Sequence, residues 1–247
     1  MAKRTVLIYH RRVAARDILD DQIAYYRARA GEYDEWWFRT GRYDRGEDFN
    51  AQWRAETAAV EAALVSWLAA RRPANVLELA CGTGLFTRLI APRVARLTAI
   101  DASTEVIEIN RARVGADNVD YVQADLFAWR PARRYDAIFF SFWLSHVPDQ
   151  RFAAFWELVA SALAPGAAVY LIDSAFDPTS TAKDHVLTGR ETGIVTRKLN
   201  DGREFRIVKV FYQPAALAAK LGPLGWKSKL AQTPRYFIYG EVTRAGD

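Results

Sequence analysis

Four short apolar runs punctuate the middle of the chain: NVLELA (75–80), RLTAID (96–101), VDYVQAD (119–125) and YDAIFFSF (135–142). Amphipathic stretches starting near Thr83, Ser103 and Gln150 alternate with them, and a fifth run, AAVYLID, follows at 167–173. Apolar strands separated by helical periodicity predict a parallel sheet covered on both faces. The expected fold class is therefore α/β, a doubly wound, mostly parallel, seven-stranded Rossmann-like sheet.

Three regions depart from that alternation. Residues 17–72 read as an N-terminal helical cap, and the span 25–53 within it holds nine aromatic residues in 29 positions. Residues 174–190 are polar and loop-like. Beyond them, GIVTRKL (193–199) and REFRIVKVFY (203–212) flank Asn200-Asp201-Gly202, a hairpin signal because Asn and Gly tolerate the positive φ of a tight turn. A helix from Pro214 is followed by KSKLAQT (227–233) and YFIYGEVTR (236–244), expected as antiparallel edge strands. The chain thus divides into a leader (1–16), the cap (17–72) and a core (73–247) carrying a lid insertion at 174–212.

Composition narrows the class. With 51% hydrophobic and 26% charged residues the chain is an ordinary globular protein. Its apolar stretches, such as AALVSWLAA, stop at about nine residues, half of what a membrane-spanning helix needs. The net charge of +5 comes from Lys3, Arg4, Arg11, Arg12 and Arg16, and the rest of the chain carries 29 charges of each sign. A basic stripe across the body is therefore not expected, which argues against a nucleic-acid partner. One cysteine, Cys81, and three scattered histidines offer neither a disulfide nor a structural metal site and suit a cytoplasmic protein.

The chemistry-bearing motif is VLELACGTG (76–84), a strand entering a Gly-rich turn and then a helix. Gly82 and Gly84 let a ligand lie against the backbone there. A dinucleotide fingerprint would continue Gly-x-Gly-x-x-Gly, but Thr87 occupies the last position. Asp101, 17 residues after Gly84, ends the second strand where a carboxylate can accept both hydroxyls of a ribose. Asp125 ends the third, where it can take the amino group of adenine beside the backbone N–H of Leu126. Glu78, Asp101 and Asp125 together would repel a diphosphate and favour a cationic nucleoside.

These motifs resemble those of the class I S-adenosylmethionine-dependent methyltransferases, with the likeness extending over about residues 20–245. The resemblance implies that Glu78, Ala80, Gly82 and Thr83 surround the methionine and ribose of the cofactor, and that Asp101 and Ala102 hold its ribose and adenine edge. It further implies that Asp125 and Leu126 hold adenine, that Ser141 offers its backbone near the methionine amino group, and that Tyr33, in a Tyr-Asp pair, touches the cofactor. Ala80 departs from the family's pattern, where many members carry glycine.

The acceptor is less legible. SFWLSHVPD (141–149) lacks the Asn/Asp-Pro-Pro-aromatic motif of adenine methylation in nucleic acids and the clustered carboxylates of a magnesium-dependent enzyme, so no metal is expected. His146 is the candidate general base. Trp37, Trp143, His185 and Tyr212 are candidate substrate contacts, the aromatics because a π face stabilises a methyl group carrying positive charge. The expected acceptor is a small aromatic or apolar metabolite methylated on O, N or C. The alternatives are a peptide or RNA docked by the leader, and a non-catalytic cofactor-binding protein whose aromatic helices form a homodimer surface.

Overall fold

Each apolar run forms the strand its pattern predicts. The computed structural model describes residues 18–185 and 193–246, so the basic leader at 1–16 lies outside the described residues. Strands β1 (Asn75–Leu79), β2 (Arg96–Asp101), β3 (Val119–Gln123), β4 (Tyr135–Ser141) and β5 (Leu163–Ser174) run parallel. The helices among these elements are α4 (Thr87–Ile90), α5 (Thr104–Val114) and α6 (Asp149–Ala162). Val76, Leu77, Leu79, Ile138, Phe139 and Phe140 are fully buried, as strands covered on both faces must be.

The sheet closes with α7 (Pro214–Leu221), β8 (Trp226–Gln232) and β9 (Phe237–Arg244), giving the order β3-β2-β1-β4-β5-β9-β8. One expectation is corrected here. Of these two strands only β8 lies at an edge; β9 lies between β5 and β8 and pairs antiparallel with both. Its apolar residues Phe237, Ile238 and Val242 are fully buried, which the interior position explains. Gly240 permits the insertion, because a Cβ at its φ of +145° would sit 2.2 Å from the Lys229 carbonyl oxygen on β8.

The chain reverses order at β1, which has β2 on one side and β4 on the other. In doubly wound sheets the crevice beyond the carboxyl ends at such a point receives the ligand. The loop after β1, Asp101 ending β2, Asp125 beyond β3 and Ser141 ending β4 all converge there.

Helices α1, described over 18–29, and α2 (Tyr33–Phe38) cover that end, while α3 (Glu47–Arg71) packs on the sheet through Val60, Leu64 and Leu68. Trp53 of α3 is wholly buried, packs on Phe237 and Tyr236, and donates its indole N–H to the Trp37 carbonyl at 2.9 Å. Glu56 accepts the backbone N–H of Tyr236 at 2.9 Å, fastening α3 to the β8–β9 turn. The Asn200-Asp201-Gly202 turn joins β6 (Ile194–Lys198) to β7 (Glu204–Val208) as an antiparallel hairpin. Its apolar face meets α1 through Tyr25, Val195, Leu199 and Ile207.

Replacing Gly240 by Ala is expected to lower stability by about 2 kcal/mol or more, because backbone and not a flexible side chain meets the new methyl. Thermal denaturation reads this as a Tm loss of several degrees; an unchanged Tm would contradict the close strand approach.

Candidate active site

The turn after β1 is held from behind. Gly82 adopts φ +52° and Gly84 φ +89°, which delays the helix expected near Thr83 until Thr87. Asn110 of α5, fully buried, donates from one side-chain nitrogen to the Gly82 carbonyl (3.1 Å) and the Thr87 hydroxyl (2.8 Å). Its oxygen accepts the Tyr121 hydroxyl at 2.8 Å. No motif pointed to Asn110, because its role is set by the tertiary approach of α5.

Ala80 begins the turn at φ +54°. The departure from glycine therefore strains the backbone as well as adding a methyl group, since the left-handed conformation costs an L-residue roughly 1–2 kcal/mol. Asp101 ties the turn to β2, accepting Gly82 N–H and Ser103 N–H at 3.0 Å each. Burial raises its pKa above the usual carboxylate value, and those backbone donors oppose the rise.

A cavity of about 800 Å³ opens at this point. Tyr33, Ala80, Gly82, Asp101, Ala102, Asp125, Leu126, Ser141, Trp143 and His146 all line it, so ten of the residues singled out from sequence meet in one place. Leu19, Ile23, Val106, Leu126 and Phe127 supply apolar wall to the same cavity as the Asp101 and Asp125 carboxylates. Asp125 uses Oδ1 to accept Phe127 N–H at 2.9 Å, leaving Oδ2 for a ligand. Asp101 and Asp125 on an otherwise largely apolar wall suit a ribose and an adenine. S-adenosylmethionine, when bound, supplies the methyl group and a thioether leaving group.

Other expected contacts lie elsewhere. Glu78 is buried behind the turn, outside the cavity wall, with its pKa pushed up to about 8 by burial. Thr83 hydrogen-bonds Asp34 at 2.7 Å, and Arg113 pairs with the same carboxylate, so Thr83 anchors the segment bearing Tyr33. Trp37 packs on Trp53, Phe86 and Phe237 in the layer between α3 and the sheet, while its neighbour Trp36 faces the interior site. Tyr212 stacks near Phe152 and Lys220, because the chain passes toward α7 after leaving the hairpin. His185 accepts Lys198 N–H at 3.0 Å and meets the Thr181 hydroxyl at 3.1 Å, clipping its turn to β6. Burial lowers its pKa to about 4. Trp37, Tyr212 and His185 thus line neither this cavity nor the one beside it.

His146 does face the site, but both ring nitrogens are engaged. Nδ1 donates to the Val208 carbonyl at 2.6 Å, so Nε2 is the acceptor for the Tyr26 hydroxyl at 2.7 Å. Burial first, then the Lys209 charge, drives its pKa well below that of free imidazole. A proton could reach its lone pair only by way of Tyr26, which differs from the direct base expected from sequence.

Beyond His146 lies a second cavity, of about 530 Å³, which shares Tyr26, Tyr33, Phe142 and His146 with the first. Arg29, Arg197 and Lys209 line it, each at most 8% exposed. Arg29 donates to the Tyr43 hydroxyl at 3.1 Å and lies over the Tyr33 ring at 4.7 Å. Nη1 of Arg197 is buried without a hydrogen-bond partner, and burial lowers its pKa, with the Arg29 charge adding to the fall. Lys209 donates to Ser145 (2.9 Å) and Ser174 (3.1 Å), 3.9 Å from the Asp173 carboxylate. Burial lowers its pKa to about 8 against the pull of Asp173. Among the described residues neither arginine has a carboxylate within ion-pair distance.

The sequence held a signal for two of these three cations. On a hairpin of period two, Arg197 shares the face of Val195 and Leu199, and Lys209 that of Ile207 and Phe211. A charge on the apolar face of a strand marks a site. Arg29 and Tyr26 sit among helical aromatics that look like core.

Comparison with known proteins decides the family. Residues 76–166 match the family described as "Methyltransferase domain". A DhpI–SAH complex aligns with TM-score 0.75 and 39% identity, covering 94% of this chain and 99% of that one. A ubiquinone biosynthesis O-methyltransferase of Xylella fastidiosa is 35% identical over 180 residues, 70% of this chain and 69% of that protein. The chain belongs to the class I S-adenosylmethionine-dependent methyltransferases. It is an enzyme, and S-adenosylmethionine is its methyl donor. A trans-aconitate 2-methyltransferase of Streptomyces avermitilis is 35% identical over 119 residues, 44% of this chain and 43% of that protein.

Two outcomes follow for this methyltransferase. Asp101→Ala is expected to weaken S-adenosylhomocysteine binding at least tenfold by calorimetry, since a ribose acceptor and the Gly82 anchor go together; unchanged affinity would remove Asp101 from the site. Ala80→Gly is expected to raise stability by about 1 kcal/mol, read as a higher Tm with cofactor affinity retained. A lower Tm would show that the methyl packs more usefully than its strained φ costs.

Proposed function

We propose that this methyltransferase acts on a small anionic metabolite, bound in the cavity beyond Tyr26 and His146. The observation that carries the reading is the set of three buried cations, Arg29, Arg197 and Lys209, beside the donor cavity with one buried carboxylate, Asp173, among them. Buried charge is stable only when paired, so the cavity favours an oxyanion over a neutral apolar ring. The reading keeps the small-metabolite acceptor expected from sequence, which the ubiquinone and trans-aconitate relatives support, and adds a negative charge to it. The trans-aconitate relative supports an acidic acceptor, and the buried lining of the cavity supports a metabolite over a polymer. We read the protein as cytoplasmic, since Cys81 is free and buried and no described helix is long and apolar enough to cross a membrane.

An anionic oxygen is already a nucleophile, so the protein need only align it and exclude water. Tyr26, held by His146, and Tyr33, edge-on to Trp36, line both cavities. Phe142 meets Trp36 edge-on at 4.7 Å and lines both as well. His146 then acts by fixing Tyr26, without taking a proton.

The test is release of S-adenosylhomocysteine with panels of small organic acids and of neutral phenols. Turnover confined to acids is expected; turnover confined to phenols would overturn the reading. His146→Asn should lower kcat less than about tenfold, whereas loss of a general base costs roughly 10²–10⁴-fold. A loss in that larger range would restore His146 as the base.

A further inference from the structure

The charges around the acceptor cavity do not balance, and the imbalance has a size. Arg29, Arg197 and Lys209 bring three positive charges, of which Asp173 compensates one. Asp173 is itself committed, accepting Ser145 N–H at 2.8 Å and Ser174 N–H at 2.7 Å. The remaining charged walls are absent: the cavity is otherwise lined by tyrosines, aromatics, Ile207 and the hydroxyls of Ser174, Ser180 and Thr181, and His146 is neutral. Among the described residues the cavity therefore holds an excess of two positive charges. Arg29 and Arg197 also repel one another across it.

We propose that the acceptor binds as a dianion, and that the charge it loses on methylation limits the enzyme to one transfer. This rests on the reading that an anionic acceptor occupies the cavity. One anionic oxygen of the acceptor forms a bond to the methyl carbon as the carbon–sulfur bond breaks, and the electron pair leaves on the thioether sulfur. No proton is taken up or released. The ligand passes from two negative charges to one, so the product leaves one buried cation unpaired. An unpaired buried charge is costly, which expels the ester and disfavours its return for a second methyl group. Substrate preference and single methylation thus follow from the same excess charge. Acids with one charge fall on the product side of this balance and bind as poorly as the ester.

Calorimetry with the S-adenosylhomocysteine-loaded enzyme at pH 7.5 tests this with two matched pairs: ethyl phosphate against diethyl phosphate, and succinate against monoethyl succinate. The two pairs separate a tetrahedral oxyacid from a dicarboxylate. In whichever pair binds, the dianion is expected to bind at least tenfold more tightly than its ester. Lys209→Met, which removes one positive charge, is expected to shrink that ratio to threefold or less, with S-adenosylhomocysteine affinity kept. Arg197→Gln provides the same readout if Lys209→Met does not fold. Equal binding of dianion and ester in the native enzyme, or a ratio unchanged in both variants, would overturn the proposal while leaving an anionic acceptor in place. Failure of all four probes to bind an enzyme that holds S-adenosylhomocysteine would overturn both readings together.

Discussion

Positive charge withheld from water is the constraint on which the acceptor side of this molecule depends. Arg29 comes from α1, Arg197 from β6, and Lys209 from the residue after β7, so three separate pieces of chain must close around one space. The hairpin reaches that position because Tyr25, Val195, Leu199 and Ile207 give it an apolar contact with α1. Gln22 reinforces the junction, accepting Val208 N–H at 3.1 Å and donating to the His146 carbonyl at 3.3 Å. Packing supplies the free energy that holds the cations together.

The donor side obeys the opposite electrostatics. Asp101 and Asp125 sit on a largely apolar wall, and Glu78 lies buried behind the turn. The two cavities thus differ in the sign of the surrounding charge, and they adjoin where Tyr26, Tyr33, Phe142 and His146 are shared.

Much of the donor side was legible in the sequence because local rules write it. Strand, glycine turn and acid at a strand end are local features, and the seven residues Ala80, Gly82, Asp101, Ala102, Asp125, Leu126 and Ser141 at those features reach one cavity. The acceptor side resisted, since what matters there is which face of an element turns inward. Adjacent Trp36 and Trp37 could not be told apart until α2 docked, and the first faces the acceptor cavity while the second fills the core. Tyr212 and His185 fall in the right region of the chain but on the wrong side of it. Arg197 and Lys209 were readable in principle as charges on the apolar face of a hairpin. Ala80 shows a further limit, because residue size suggests little cost while the backbone angle of +54° reveals strain.

The central claim is that the space enclosed by Arg29, Arg197 and Lys209 is an anion site adjoining the methyl donor. A crystal structure of the enzyme with S-adenosylhomocysteine and inorganic phosphate addresses it most directly. The account predicts phosphate density within hydrogen-bond distance of at least two of those three side chains, with the thioether sulfur facing the gap between Tyr26 and Tyr33. Phosphate bound elsewhere, with the cavity instead occupied by an apolar or cationic additive, would contradict it.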